Sequence, residues 1–160
     1  MLDRRGVIGL TGSAAIALLL FGRPGTASTG LRFSVNHTPD EWRRVLGAQR
    51  YAILREAATE RAFTSPLLNE HRKGVFTCAG CALPLFSSAT KFESGTGWPS
   101  FWKALPHAVV TRDDRSLMME RTEVLCARCG GHLGHVFDDG PKPTGLRYCM
   151  NGLALQFRAA

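Results

Sequence analysis

Three successive patterns of hydrophobic residues divide the chain. Residues 7–21 form an almost continuous apolar run. A second stretch, residues 38–59, repeats apolar residues every three to four positions, which predicts helices that bury one face. These residues are Trp42, Val45, Leu46, Tyr51, Leu54 and Ala58. After Pro66 the apolar runs become short and are separated by Gly and Pro, a pattern typical of β-strands joined by turns.

Residues 1–27 have the order of an export signal. Arg4 and Arg5 precede the apolar run, and the small residues of Gly25-Thr26-Ala27 follow it. The run of about 15 residues is shorter than the roughly 20 needed to span a bilayer, which favours a cleaved signal over a permanent membrane anchor. The paired arginines fit a twin-arginine signal. We expect cleavage after Ala27, no stable membrane insertion afterwards, and a periplasmic or otherwise extracytoplasmic protein.

The segment that follows the leader predicts two short helices. Residues 28–37 form a linker, and Thr38 then offers a capping hydroxyl with Pro39 at the first helical position. Glu41 stands where its carboxylate can reach back to the N–H of Thr38, which completes a capping box. Gly47 is expected to end the first helix, and residues 48–59 are expected to form the second.

The remainder predicts a mainly antiparallel β body. The β-type runs are residues 74–77, 108–111, 117–125 and 146–157. With 160 residues, the chain fits one domain, placed at residues 38–160. The formal charge is +7, of which +5 remains after the leader (17 basic and 12 acidic residues). That excess does not by itself imply a nucleic-acid partner.

Four of the five cysteines form two Cys-x-x-Cys pairs, Cys78 with Cys81 and Cys126 with Cys129. Two such pairs favour a tetrahedral zinc site, although two disulfides or a redox motif are alternatives in an exported protein. Four thiolate ligands would leave no open coordination position, so this zinc would hold the two halves of the β body together without taking part in chemistry. A basic zinc domain that binds nucleic acid is disfavoured, because the basic and aromatic residues are not interleaved.

The fifth cysteine, Cys149, is buried and inert, paired between chains, or reactive. In a strand, Arg147, Cys149 and Asn151 share one face, and the same parity continues through Leu153, Leu155 and Phe157. A neighbouring guanidinium would favour the reactive thiolate.

Two histidines and a tryptophan are candidates to act with this thiol. His132 and His135 are three residues apart, so in an ideal strand they would lie on opposite faces, and both reach one substrate only if Gly130-Gly131 or Gly134 bends the chain. A Cys/His metal site and a surface position are the other interpretations of this pair. Trp98 follows Gly97 in a tight aromatic segment, where it is either an apolar wall of a site or ordinary loop packing.

Residues 39–157 resemble the B-type methionine sulfoxide reductases, which reduce the R epimer of methionine sulfoxide. The resemblance is carried by four motifs that are specific in combination. They are Cys78-Ala79-Gly80-Cys81, Gly97-Trp98-Pro99-Ser100-Phe101, Gly131-His132-Leu133-Gly134-His135-Val136-Phe137, and Gly145-Leu146-Arg147-Tyr148-Cys149-Met150-Asn151. The resemblance implies a monomer with two antiparallel β-sheets, short N-terminal helices and one structural zinc bound by Cys78, Cys81, Cys126 and Cys129.

The resemblance also implies roles for the remaining candidates. Cys149 would attack the sulfoxide sulfur and become a sulfenic acid, with the proton for the oxygen supplied by His132 or His135. Arg147 and Asn151 would orient polar atoms, while Trp98 and Phe137 would contact the substrate. The substrate would be oxidised methionine in peptides or proteins, and the activity would repair them.

One departure from the family concerns recycling. Many members have a cysteine where this chain has Thr96, and that cysteine resolves the sulfenic acid. Recycling here would therefore use an external thiol, thioredoxin-like or other, unless a zinc-site cysteine resolves it and releases the metal. Two other classes stay open: acyl transfer through a Cys149 thioester, and an inactive relative that binds peptides.

Overall fold

The computed structural model describes residues 30–116 and 119–160, and residues 32–160 form one compact unit. The export segment, residues 1–27, lies outside the described residues, so the leader and its boundary stay predictions. In the part of the chain that is described, no helix combines the length and the apolar character needed to cross a membrane.

One helix, α1 (Pro39–Glu56), replaces the two predicted helices. The capping box is present: the Thr38 hydroxyl accepts from the Glu41 N–H, and Glu41 accepts from the Thr38 N–H at 2.7 Å. Gly47, with φ 68° and ψ 169°, leaves the helical region, so the predicted break survives as a kink. The helix ends at Glu56, before the predicted end at residue 59, because Ala57 adopts the left-handed conformation. Val45, predicted on the buried face, is 62% exposed.

The β body consists of two sheets in which all paired strands are antiparallel, as predicted. The small sheet has the order β2-β1-β9, and the large sheet has the order β3-β4-β8-β7-β6-β5. The strands are β1 (Gly74–Cys78), β2 (Pro84–Ser87), β3 (Lys91–Phe92), β4 (Ser100–Phe101), β5 (Val109–Asp114), β6 (Arg121–Cys126), β7 (His132–Phe137), β8 (Arg147–Met150) and β9 (Leu155–Ala159). Short 3₁₀ turns cover Pro66–Asn69, Ser88–Thr90 and Gly152–Ala154.

Aromatic side chains join the two sheets. Phe76 of β1 lies edge-on to Phe101 of β4, with ring centroids 4.9 Å apart. Phe86 of β2 stacks on the same Phe101 ring at 4.4 Å. All three side chains are fully buried, so the core lies between the sheets, where these aromatic pairs stabilise their packing.

The predicted run over residues 146–157 is wrong as a single strand. β8 ends at Met150, the Gly152–Ala154 turn follows, and β9 then enters the other sheet. The Ala154 N–H donates to the Asn151 carbonyl at 3.1 Å and closes this turn, which breaks the alternation of faces expected to continue to Phe157. The strand predicted over residues 117–125 begins at Arg121, while Leu117 and Met118 lie outside the described residues.

Candidate active site

The four paired cysteines converge at one point between the sheets. Their Sγ atoms lie within 4.8 Å of one another, with Cys78 and Cys129 at 3.7 Å and Cys81 and Cys126 at 3.5 Å. Neither distance is a disulfide bond, which needs about 2.05 Å. A tetrahedral zinc with Zn–S bonds of about 2.3 Å separates its sulfur ligands by about 3.8 Å, so this cluster fits one zinc ion. Such a zinc would link the end of β1 to the end of β6.

The fifth cysteine lies in the middle of the large sheet. Strand register places Cys149 of β8 directly opposite His135 of β7 and, on the other side, opposite Ser100 of β4. Directly opposed residues on adjacent antiparallel strands have their side chains on the same face. The register therefore brings the thiol and one imidazole together, although 14 positions separate them in the sequence.

A cavity of about 130 Å³ opens at this pair. Five predicted site residues line it: Cys149, His135, Asn151, Trp98 and Phe137. Thr59, Arg121 and Gly134 complete the lining. His132 and Arg147, both within the described residues, lie outside the lining.

The bend expected between the two histidines is present. The register between β6 and β7 shifts between Val124 and Leu125, and Gly134 has φ 155°. A Cβ atom at Gly134 would collide with the Cys149 carbonyl oxygen, so this close approach of β7 to β8 requires glycine. The imidazole rings of His132 and His135 consequently lie on the same side, with centroids 5.5 Å apart.

The orientation of His135 is set by a carboxylate from β5. His135 Nε2 lies 2.8 Å from Asp114 Oδ2, and Arg121 Nη2 donates to the same oxygen at 2.6 Å. Hydrogen bonds from Ser116 hold the pKa of Asp114 well below its usual range, so Asp114 is ionised and only accepts. His135 must then carry a proton on Nε2, which leaves Nδ1 for chemistry. Burial lowers the pKa of His135 despite the opposing effect of Asp114.

His132 is also paired with a carboxylate, but it is more deeply buried than His135. The residue is 4% exposed, and its Nδ1 lies 2.7 Å from Glu123 Oε1. Arg112 donates to the other oxygen of Glu123 at 2.7 Å. Although burial of Glu123 opposes ionisation, the hydrogen bonds from His132 and Arg112 lower the pKa of this carboxyl. His132 is thus a buried residue held by Glu123 beside His135, and it does not line the cavity.

Arg147 and Asn151 are both engaged with protein groups. Arg147 forms a two-point ion pair with Asp139, at 2.8 and 2.7 Å, and its guanidinium lies 4.4 Å from the centre of the Phe137 ring. The Asn151 side chain accepts from the Glu60 N–H at 3.0 Å and donates to the Leu133 carbonyl at 3.2 Å.

The pKa of Cys149 is shifted in the direction opposite to the one expected from a neighbouring guanidinium. Burial raises the pKa of the Cys149 thiol, although Thr96 and Arg147 act in the opposite direction. The guanidinium thus offsets only part of the desolvation cost of a thiolate. Thr96 Oγ1 lies 3.8 Å from Cys149 Sγ, so the residue at the position of the family's resolving cysteine is next to the thiol.

Several residues around the site were not among the candidates predicted from the sequence. Asp114, Arg121 and Glu123 come from β5 and β6, and Thr59 and Glu60 come from the segment after α1. Strand alternation could have placed Arg121 and Glu123 on one face, but only the pairing of β5, β6 and β7 identifies them as neighbours of the histidines.

Comparison with known proteins agrees with this geometry. The SelR domain family matches residues 46–159. The peptide methionine sulfoxide reductase MsrB of Leptospira interrogans is 51% identical over 129 residues, which cover 80% of this chain and 98% of that protein. The protein of the same name from Thiobacillus denitrificans is 56% identical over 121 residues, or 75% of this chain and 92% of that protein. The chain belongs to the family of B-type methionine sulfoxide reductases.

Proposed function

We propose that this protein reduces the R epimer of methionine sulfoxide, in peptides and proteins, at the expense of thiols. The observation that carries the proposal is the pairing of Cys149 with His135 at a cavity walled by Trp98 and Phe137. The cavity supplies a nucleophile, a proton carrier and an apolar wall, which together are what reduction of a methyl sulfoxide requires.

In the reductive step, the Cys149 sulfur attacks the sulfoxide sulfur. The attack forms an S–S bond; this bond and the S–O bond of the substrate then break as the oxygen moves to the Cys149 sulfur, so the substrate leaves as methionine and Cys149 becomes a sulfenic acid. The substrate sulfur gains the two electrons that the Cys149 sulfur loses. The thiol proton of Cys149 becomes the O–H proton of the sulfenic acid, and no other reactant enters this step.

His135 is the residue that carries this proton. A raised pKa for Cys149 and a lowered pKa for His135 describe a resting site with a thiol and a neutral imidazole. Nδ1 of His135 takes the thiol proton as the sulfur attacks and delivers it to the oxygen that departs. His132 supports the position of His135 from within the sheet, where Glu123 holds it.

The apolar wall receives the S-methyl group of the substrate. Trp98 and Phe137 are its aromatic members, and the Arg147 guanidinium holds the Phe137 ring in place. A wall on one side of the sulfur and a proton carrier on the other distinguish the R epimer from the S epimer, because exchanging oxygen and methyl would move the oxygen away from His135.

Recycling uses an external thiol. The reductant's sulfur attacks the sulfenic acid sulfur, water leaves, and a mixed disulfide forms. A second thiol then displaces Cys149, which regains its proton, and the reductant leaves as a disulfide. Thr96 has no thiol to contribute, and the zinc-site cysteines are engaged with one another. The zinc, when bound, stabilises the fold by joining the two sheets.

The proposed setting of the reaction rests on the leader sequence. We propose that the enzyme is exported by a twin-arginine-like route and acts as a monomer in the periplasm or another extracytoplasmic compartment; the order of charged, apolar and small residues in residues 1–27 supports export. Its substrates there are exported proteins with oxidised methionine, and its reductant is thioredoxin-like or another thiol available outside the cytoplasm.

Turnover of separated epimers tests the proposal. Zinc-loaded mature protein and its Cys149→Ser variant are given peptide methionine R-sulfoxide or S-sulfoxide with dithiothreitol. We expect turnover of the R epimer alone, and none with the variant. Hydrolysis of a peptide or ester substrate through Cys149 without any thiol reductant would favour acyl transfer, and no turnover of either epimer by intact, zinc-containing protein would favour a peptide-binding module.

A further inference from the structure

The segment between α1 and the Pro66–Asn69 turn carries a buried carboxylate with no role in the reaction described above. Glu60 is 7% exposed, although its neighbours Thr59 and Arg61 are exposed. A buried carboxylate is costly unless hydrogen bonds satisfy it. Its partners therefore indicate what it does in this fold.

The Glu60 carboxylate caps the 3₁₀ turn that follows the nucleophile strand. Oε1 accepts from the Gly152 N–H, and Oε2 accepts from the Leu153 N–H at 2.9 Å. Asn151 occupies the N-cap position of this turn, but its side chain makes no capping hydrogen bond. Glu60 thus supplies, from 92 residues earlier in the chain, the acceptors that a local cap would provide.

The backbone of Glu60 holds two residues of the cavity lining. Its N–H donates to Asn151 Oδ1 at 3.0 Å, and its carbonyl accepts from Trp98 Nε1 at 3.1 Å. Thr59, the preceding residue, lines the cavity itself. One residue therefore joins the tryptophan wall to the end of β8, which carries Cys149.

We infer that Glu60 is a positioning residue, one that sets the separation between the Trp98 wall and the Cys149 strand. The inference rests on the proposed function for its effect on turnover. Glutamine at this position offers a single carbonyl oxygen, so one of the two N–H groups would face an amide NH₂ instead of an acceptor. The segment would then shift and move the Trp98 indole relative to Cys149, without removing any group that touches the substrate.

The test compares Glu60→Gln with Glu56→Gln, which removes a carboxylate from an exposed position four residues earlier. For peptide methionine R-sulfoxide, we expect kcat/KM of Glu60→Gln to fall on the order of 10-fold to 100-fold, because small displacements of a positioned substrate are costly. Alkylation of Cys149 by iodoacetamide should stay within about twofold of wild type, because it needs no methyl wall. Zinc content should be unchanged, and Glu56→Gln should match wild type throughout.

A second readout does not depend on turnover. Hydrogen exchange of the Trp98 indole N–H should accelerate at least about tenfold in Glu60→Gln, while the Trp102 indole, in the same molecule, serves as reference. If Glu60→Gln fails to fold, Glu60→Asp replaces it, since the shorter carboxylate keeps the charge but cannot reach both N–H groups.

Different results would overturn different conclusions. Wild-type kcat/KM together with unchanged indole exchange in Glu60→Gln would overturn the positioning role. Loss of zinc or an equal loss of alkylation would also overturn it, because Glu60 would then support the fold as a whole. A wild-type protein that reduces neither epimer, but whose Trp98 indole responds to Glu60→Gln, would refute the proposed function and leave the positioning role intact.

Discussion

The five cysteines occupy two regions that give the same side chain opposite surroundings. In the cysteine cluster (Cys78, Cys81, Cys126 and Cys129), each thiol faces other thiols, and together they would fill the coordination shell of one metal. In the cavity, Cys149 faces an imidazole, a hydroxyl and open space. The first arrangement is closed and stabilises the fold, whereas the second is open and reactive. The role of each cysteine therefore depends on the groups around its sulfur. Substitutions in the cluster should affect zinc binding and stability, whereas substitution of Cys149 should affect turnover.

The largest expected difference is between Cys126→Ser and Cys149→Ser. Cys126→Ser should lose stoichiometric zinc and several kcal/mol of stability, a fall in Tm on the order of 10 °C, because a closed site loses a ligand. Cys149→Ser should keep its zinc, and its Tm should stay within about 2 °C while turnover is lost. Zinc analysis and thermal unfolding check both variants. Full zinc and unchanged Tm in Cys126→Ser would contradict the assignment of the cluster.

The two histidines sharpen the same comparison within the active site. His135→Gln should lower kcat/KM by roughly 10²-fold to 10⁴-fold, the range for loss of a general acid-base group, with little change in stability. His132→Gln should lower kcat/KM by less. It should instead destabilise the fold by about 1–3 kcal/mol, because Glu123 loses a buried partner. Steady-state kinetics and urea unfolding are measured for both variants. A larger loss of kcat/KM in His132→Gln than in His135→Gln would assign the proton transfer to His132.

Thr96→Cys tests whether the cavity can acquire the chemistry of a resolving thiol. The Thr96 oxygen is 3.8 Å from Cys149 Sγ, so a sulfur at this position would lie near the sulfenic acid. One equivalent of substrate, added without reductant, should join the introduced thiol to Cys149 in an internal disulfide. Thiol counting and mass spectrometry report the product. Two free thiols at these positions after a complete single turnover would contradict the geometry.

The smallest expected effect is on the pH dependence of Cys149 alkylation. Because burial raises the pKa of Cys149, its thiolate fraction at neutral pH is lower than that of an ordinary cysteine. Iodoacetamide alkylation of the free enzyme should therefore increase with pH and reach half-maximum above 9.0, the ordinary thiol value. Cys149→Ser corrects for labelling elsewhere. A midpoint below 9.0 would mean that Arg147 and Thr96 outweigh desolvation.

The features predicted correctly from the sequence depend on short-range patterns. The capping box at Thr38 and the break at Gly47 involve neighbouring residues, and each Cys-x-x-Cys turn is a local structure. Alternation along β8 correctly placed Arg147 on the face of Cys149, where the guanidinium acts on the pKa of the thiol. The run over residues 146–157 failed, because its apolar composition does not reveal the turn at Asn151 or the crossing between sheets.

The surroundings of the site depend on pairing across the fold. β7 was not predicted as a strand, since Gly134 and two histidines lack strand propensity, and it is held there by pairing with β6 and β8. The two histidines differ because His135 is paired with Asp114 and His132 with Glu123. These carboxylates lie on strands that approach the histidines only in the folded protein. Glu60 is separated by 92 positions in the sequence from Gly152, whose N–H donates to it, so no local pattern could have predicted this contact.

A single turnover without reductant tests the central claim, that redox chemistry is confined to Cys149 while the cluster keeps its metal. Zinc-loaded protein receives one equivalent of peptide methionine R-sulfoxide and then dimedone, followed by peptide mapping and zinc analysis. We predict one equivalent of methionine, a dimedone adduct at Cys149, and full retention of zinc. Release of zinc with a disulfide between Cys149 and a cluster cysteine would contradict the separation of the two regions.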